Sequence, residues 1–209
     1  IVYSTKEKPQ RYSPISPREL TQRFKRRVNS SIDFLEKKLP NVKEDYNEPI
    51  HSINGAETIL DKIKEVIKNT KETLYMELWA NDYKLLESVI SDAYDRGIDI
   101  KIVGYDNFKS IYGLVYRNEG AKEIERYTGS RMVYVLADNK ESIFGRIESK
   151  VVWTQNEDIA FLIKEFIVHD MYLIDVEENL VEQMKYIYGK GFKRLKDKVL
   201  GANATYMIH

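Results

Sequence analysis

The chain has 209 residues, 43% of them hydrophobic, which is enough for one large domain or a small pair with a real core. It contains no cysteine, and this excludes both a disulfide framework and a thiolate metal site. Its 33 basic and 33 acidic residues give a formal net charge of zero, which argues against nucleic-acid binding by this segment itself.

No signal peptide or transmembrane run is present, so we expect a cytoplasmic protein. A charged fraction of 32% without cysteine is typical of a protein from a hot, thermophilic environment. The sequence starts at Ile1 rather than at a methionine, so we expect a fragment or processed product with a functional segment upstream.

The sequence of residues 1–45 predicts a linker arm followed by a long helix. Prolines keep the arm extended, and Ser16, Pro17 and Glu19 then form a capping box at the start of the helix. One apolar stripe at helical spacing follows, made of Leu20, Phe24, Val28, Ile32, Leu35 and Leu39. The stripe is as narrow as a coiled-coil seam. Two interpretations stay open: the helix packs on its own domain, or residues 17–39 form a homodimer with a second chain.

Residues 46–192 predict a mixed α/β core, in which a strand, a helix and a second strand form a parallel pair with a right-handed crossover. Residues 193–209 form a C-terminal tail that could belong to a second small subdomain. The first half of the core is predicted to contain a polar connector over 41–53, a helix opened by Gly55, strand 73–79, helix 83–96 ended by Gly97, and strand 98–105. A loop over 108–130, with a short helix near 119–126, follows. The second half is predicted to contain strands 132–137 and 142–147 joined by a turn, strand 150–154, helix 157–172 capped by Asn156, and helix 178–188.

Three of these strands end in a large aromatic residue that amides and acids follow at once. The residues are Trp79 with Asn81 and Asp82, Tyr105 with Asp106 and Asn107, and Trp153 with Gln155 and Asn156. Ligands of open α/β sheets lie outside the carboxyl ends of the strands, and a ring face beside fixed donors and acceptors suits a neutral, hydroxyl-rich ligand such as a sugar. In the alternative interpretation, the two tryptophans are core residues and the polar groups cap helices.

Patterns for catalysis and for cofactors are absent from the sequence. The three histidines form no metal-spaced pair, and there is no nucleophile elbow, phosphate loop or dinucleotide fingerprint. We therefore expect no cofactor and no enzymatic activity. A hydrolase that uses Asp82 and Asp106 as an acid pair stays open as the least favoured alternative.

Three segments, Tyr12–Pro17, Ile53–Ile59 and Ala93–Ile100, together with the 131–147 hairpin and the Val152–Asn156 strand end, carry a resemblance to a known family. They resemble the effector-binding part of the TrmB family of archaeal transcriptional regulators. The resemblance implies a phospholipase-D-like sheet core, a long helix for dimerisation, and DNA contact only through an upstream winged-helix domain. Enzymes of that fold use an HxK motif, whereas here His51 precedes Ser52-Ile53 and His169 precedes Asp170-Met171.

Members of the family with sugar-binding domains sense maltose, maltodextrins or related glucosides. The first hypothesis is therefore an effector domain that binds such a sugar at the strand ends and alters the geometry of a dimer. The alternative from another class is a dimerisation or protein-interaction module without a small ligand.

Overall fold

The computed structural model describes residues 2–4, 12–38, 50–118, 125, 129–189 and 193–200. The chain divides into two compact units, Ile1–Asn47 and Glu48–His209. In the first unit, strands β1 (Val2–Ser4) and β2 (Tyr12–Pro14) pair antiparallel and precede helix α1 (Pro17–Lys38). The predicted cap of α1 is confirmed, because Ser16 Oγ accepts a hydrogen bond of 3.1 Å from the Glu19 amide.

The second unit is built on a seven-stranded mixed sheet in the order β3-β9-β8-β7-β4-β5-β6. The strands are β3 (His51–Asn54), β4 (Thr73–Trp79), β5 (Asp99–Tyr105), β6 (Leu114–Asn118), β7 (Val133–Ala137), β8 (Glu141–Arg146) and β9 (Lys150–Thr154). The helices are α2 (Ala56–Asn69), α3 (Ala80–Asp95), α4 (Glu157–Asn179), α5 (Val181–Tyr188) and α6 (Lys193–Leu200). The predicted mixed α/β core with flanking helices is confirmed.

Strand direction decides which residues can meet. Strands β4, β5 and β6 are parallel, and we call the end of the sheet at which they finish the upper end. Strand β7 is antiparallel to β4, β8 to β7 and β9 to β8, so β7 and β9 finish at the opposite, lower end.

Helices cover both faces of the sheet. Gly104 lies under Phe108, which packs edge-on against Tyr83 of α3 at a centroid distance of 4.8 Å. A Cβ at Gly104 would lie 2.2 Å from the Phe108 ring, so only glycine fits there. The next residue, Tyr105, points to the other face and reaches Asp170 of α4, because successive side chains alternate across a strand. Helices α2 and α3 thus cover one face, and α4 covers the other.

Three sequence predictions need correction. Residues 51–53 were expected in a polar connector and Asn54 at the start of a helix, but residues 51–54 form edge strand β3, in which Ile53 packs against the core. Residues 114–118 were expected in a loop but form β6, the opposite edge strand. Helix α4 was expected to end at 172 but continues to Asn179, because apolar residues continue its pattern. The short helix predicted near 119–126 lies almost entirely outside the described residues.

The predictions for β4, β5, β7, β8 and β9 were correct to within one residue at each end. Strands β1 and β2 lie in the segment that was expected only as an extended arm. The Asn156 cap of α4 is also confirmed, since its side chain accepts a hydrogen bond of 2.9 Å from the Ile159 amide. Gly97 ends α3 with φ of 83°, a conformation that favours glycine. Among the described residues, no helix is both long and apolar enough to span a membrane.

Candidate functional site

The upper end brings together the first two predicted strand ends. Trp79 and Tyr105 are partners across the parallel β4–β5 ladder, and their rings stack with centroids 5.0 Å apart. Trp79 Nε1 donates to the Met132 carbonyl at 2.9 Å, and the Tyr105 hydroxyl donates to Glu77 Oε2 at 2.8 Å. Both residues are only 4% exposed, so in this structure the two rings belong to the core and offer no open face.

Polar groups line the rim beside these rings. Asn81, Asp106 and Asn107 are exposed, and Asp106 has a left-handed φ of 66°, which turns the chain sharply at the end of β5. Asp82 is buried, and burial raises the pKa of its carboxyl while the charge of Arg131 opposes that shift. The upper end therefore offers exposed amide and carboxylate groups at two adjacent strand ends.

The third strand end lies at the lower end of the sheet. The Trp153 ring stacks on His51, its cross-strand neighbour, at 4.7 Å, and Lys62 Nζ lies 4.1 Å from the ring centre. Its Nε1 donates to Glu141 Oε1 at 2.6 Å. Gln155 is exposed, and Asn156 caps α4. Because β9 runs opposite to β4 and β5, the three strand ends do not form a single site.

The lower end carries an open cavity of about 330 Å³. It is lined by Asn69, Thr70, Ala137, Asp138, Lys140, Glu141, Gln155 and Glu157. Of these, only Gln155 was among the predicted ligand residues. The others come from the end of α2, the β7–β8 turn and the start of α4, and the Asp138-Asn139 turn was the one visible signal in the sequence.

Asp138 holds this lower end together. Its carboxylate accepts hydrogen bonds from the backbone amides of Lys71, Glu72 and Thr73 at 2.8 to 3.2 Å. Burial alone would raise the pKa of Asp138, but these amides hold it below its usual value. The carboxylate thereby fixes the β7–β8 turn against the α2–β4 connection and forms one wall of the cavity.

Comparison with known proteins identifies the family. The family model described as "Transcriptional regulator TrmB, EBD N-terminal subdomain" matches residues 50–173, which is more than half of the chain and runs from β3 into α4. The chain belongs to the TrmB family. The family resemblance of the sequence is therefore confirmed.

One curated relative of this TrmB-family chain is the uncharacterized protein YrhO of Bacillus subtilis (strain 168). The two are 28% identical over 194 residues, covering 90% of this chain and 70% of YrhO.

Solved structures similar to this chain include TrmBL2, described as an archaeal chromatin protein with a novel mode of DNA binding. It is 16% identical with a TM-score of 0.48, covering 82% of this chain and 75% of that one. Another is Nuc from Salmonella typhimurium, a phospholipase D family member, which is 15% identical with a TM-score of 0.46. The match covers 61% of this chain and 96% of Nuc. NucT from Helicobacter pylori is 14% identical with a TM-score of 0.43, and the match covers 58% of this chain and 94% of NucT.

This TrmB-family core also holds two carboxyl groups that the sequence analysis did not single out, one buried and one half-buried. Glu77 of β4 is fully buried, and its Oε1 has no hydrogen-bond partner. Asp170 of α4 lies 3.5 Å from the Tyr105 hydroxyl, on the same side of the sheet. Burial first, and the charge of Asp170 second, raise the pKa of Glu77 to about 8, while the hydrogen bond from Tyr105 acts in the opposite direction. Glu77 is therefore largely protonated near neutral pH.

Metal coordination finds no support in the described parts of the TrmB-family chain. No group of three or more histidine, aspartate or glutamate side chains in those parts could hold an ion. The two histidines in the described core also lie apart: His51 stacks on Trp153 in β3, while His169 is exposed on α4, 3.9 Å from Glu165.

Proposed function

We propose that the chain is the effector-sensing part of a transcriptional regulator and that its effector is a hydroxyl-rich small molecule, with maltose- and maltodextrin-type glucosides as the first class to test. The observation that carries the regulatory role is the TrmB family match over residues 50–173. The sugar is supported by the predicted strand-end groups and by the family resemblance of the sequence.

The upper end is the proposed sugar site. Adjacent parallel strand ends are where α/β sheets bind ligands, and here Asn81, Asp106 and Asn107 are exposed at the ends of β4 and β5. Amide and carboxylate groups can both accept hydrogen bonds from sugar hydroxyls, and amides also donate. Trp79 and Tyr105 would support these groups from beneath, and Asp82 would anchor the start of α3.

The lower end is the second candidate location, favoured by its cavity. A volume of about 330 Å³ falls within the usual range of small-molecule pockets, about 300–1,000 Å³. Gln155 and Glu141 line this cavity, and Glu141 accepts the hydrogen bond from Trp153. Asn156 follows Gln155 in the chain. A sugar at this end would contact Gln155 but neither Asn81 nor Asn107.

Matched substitutions separate the two locations. Isothermal titration of the folded protein with maltose, maltotriose, trehalose and sucrose identifies the ligand, and Asn107→Ala and Gln155→Ala serve as controls for each other. Removing one hydrogen-bonding partner of a buried hydroxyl costs about 1–3 kcal/mol, so the variant in the true site should bind at least about fivefold more weakly. The other variant should bind like the unmodified chain.

Two results would contradict parts of this proposal. The absence of binding by every sugar to a chain that is folded by circular dichroism would contradict the sugar. It would leave the family role in place and favour the interaction-module alternative, for which the exposed apolar side chains of α1 and α4 are the specific support. Binding of a sugar with unchanged affinity in both variants would contradict both proposed locations.

Dimerisation through α1 and DNA contact through an upstream winged-helix domain complete the proposal. Helix α1 has no buried residue, and Phe24, Val28, Ile32 and Leu35 on its predicted stripe are 47% to 61% exposed. Pairing of two such stripes would bury them. Effector binding would then change the relative placement of the paired helices and of the DNA-binding domains they carry.

We further propose that the domain binds without turnover. Phospholipase-D-type chemistry needs a histidine with a lysine two positions on, and neither His51 nor His169 has one. Incubation with phosphodiester and glucoside substrates should release no product above buffer, and measurable turnover abolished by Asp82→Asn or Asp106→Asn would establish the hydrolase alternative.

A further inference from the structure

Helix α4 carries a second apolar surface that the described residues leave largely exposed. Its inner face, made of residues such as Ile163, Ile167 and Met171, is buried against the sheet. Its outer face is also apolar over much of its length, with Leu162 and Leu173 exposed by 65% and 50%. Phe166, whose ring lies 4.9 Å from that of Tyr134 in β7, is still 45% exposed. A helix that is apolar on both faces is normally covered on both.

The outer residues form a regular stripe. Leu162, Phe166, His169, Leu173 and Val176 follow one another at intervals of four, three, four and three residues, the spacing of a coiled-coil seam. His169 stands in the middle of the stripe with its side chain 71% exposed. We call these five residues the α4 stripe.

The α4 stripe is nearly symmetric about its central histidine. Leu162 and Val176 lie the same number of residues on either side of His169, and Phe166 and Leu173 match to within one residue. Two copies of the helix placed antiparallel would therefore set Leu162 against Val176 and Phe166 against Leu173, with the two histidines facing each other on the axis. Such self-complementarity is what a two-fold interface requires.

The exposed area is also of the size that a stable contact needs. The four apolar members of the stripe, with the flanking Phe161 and Tyr172, are 39% to 66% exposed. With about 150–250 Å² of surface for each aromatic side chain and less for leucine and valine, these six together present roughly 600 Å². Two copies that covered this area completely would bury roughly 1,200 Å², the lower limit of standard specific interfaces.

We infer that α4 is a self-association surface, which joins two copies of this chain in an antiparallel, two-fold helix pair centred on His169. This contact is separate from α1 and does not depend on which effector the domain binds. It would couple two sensor cores directly, through the helix that covers one face of each sheet.

A cysteine-free chain makes the geometry directly testable by disulfide cross-linking. In the antiparallel pair the two copies of residue 169 meet on the axis, so His169→Cys should form a covalent dimer on mild oxidation. Leu162→Cys alone should not, because its two copies would lie about 21 Å apart along the helices. The double variant Leu162→Cys with Val176→Cys should again cross-link.

Leu85→Cys is the matched control. Leu85 is a leucine on α3 with 52% exposure, but it lies on the other side of the sheet. Cross-linking of His169→Cys no faster than that of Leu85→Cys would overturn the inference. Equal cross-linking of Leu162→Cys and His169→Cys would overturn the antiparallel arrangement, since only parallel helices bring two copies of every stripe position together.

Discussion

At the scale of single residues, Glu77 is the most unusual side chain of the core. It stands in the middle of a strand whose six residues from Leu74 onward are all buried, with one oxygen bonded to Tyr105 and the other unpaired. An unpaired carboxylate oxygen in such a place is costly unless the group is protonated. The folded chain therefore holds a proton at Glu77 that the unfolded chain releases at a lower pH.

Replacement of Glu77 by glutamine should change the pH dependence of stability. Because the pKa of Glu77 rises from 4.5 to about 8 on folding, the folded state binds more protons between these values, and stability falls as pH rises through this window. Glu77→Gln removes that loss, so its stability relative to the unmodified chain should increase from pH 5 to pH 8 and then level off. The gain should be on the order of a few kcal/mol.

Urea denaturation at several pH values measures this effect. Glu178→Gln, an exposed site on α4, is the control and should change stability by less than about 0.5 kcal/mol throughout. A Glu77→Gln profile parallel to that of the unmodified chain would show that Glu77 does not carry the proton.

At the scale of elements, local pattern predicted most of the sheet but not how its strands are arranged. Strands such as Thr73–Trp79 and Lys150–Thr154 were predicted with the correct bounds because apolar runs and turn residues are local signals. The edge strands β3 and β6 were missed because they are short and half-exposed, and their pairing partners are distant in sequence.

The same limit explains why the predicted site divides into two. Only two residues, Glu148 and Ser149, join the predicted strands 142–147 and 150–154. Because so short a connection can join only antiparallel strands, the sequence could show that β9 runs opposite to β8. It could not show the direction of β7 relative to β4, because a long connection without a clear pattern joins β5 to β7. The direction of that one strand decides whether Trp153 lies near Trp79 or at the far end of the sheet.

Asp138 joins elements that local pattern could not connect, and three substitutions separate its two roles. Its φ of 51° is left-handed, and its carboxylate holds three amides of the α2–β4 connection. Asp138→Asn keeps an acceptor and tolerates that φ, Asp138→Gly keeps only the φ, and Asp138→Ala keeps neither. Thermal unfolding should therefore rank their stability in the order Asn, Gly, Ala.

We expect Asp138→Ala to lose about 2–4 kcal/mol, since hydrogen bonds to a charged group are worth about 1.5–3 kcal/mol and strain adds to the loss. Asp138→Gly and Asp138→Ala of equal stability would mean that the left-handed φ imposes no strain. Asp138→Asn as unstable as Asp138→Ala would mean that the charge, and not the acceptor, matters.

At the scale of the whole molecule, the chain presents two unburied apolar stripes on two helices, one in each compact unit. Helix α1 buries none of its 22 residues, and most of the stability of helices in proteins comes from the packing of an apolar face, so the α1 stripe needs a partner. If α1 and α4 each form a two-fold contact and the two axes differ, the two contacts together link more than two copies. Closed assemblies of this kind contain four chains with two different interfaces.

Sedimentation of single and double variants tests this arrangement. Phe24→Asp places a charge in the α1 stripe and should reduce a four-chain assembly to pairs held by α4, whereas Leu173→Asp should leave pairs held by α1. The double variant should sediment as a monomer. Ser30→Asp, on the opposite side of α1, and Leu85→Asp, on α3, are exposed controls that should sediment like the unmodified chain. If Phe24→Asp alone gave monomers, α1 would be the only contact between chains in solution, and the α4 stripe would need a covering other than a second copy.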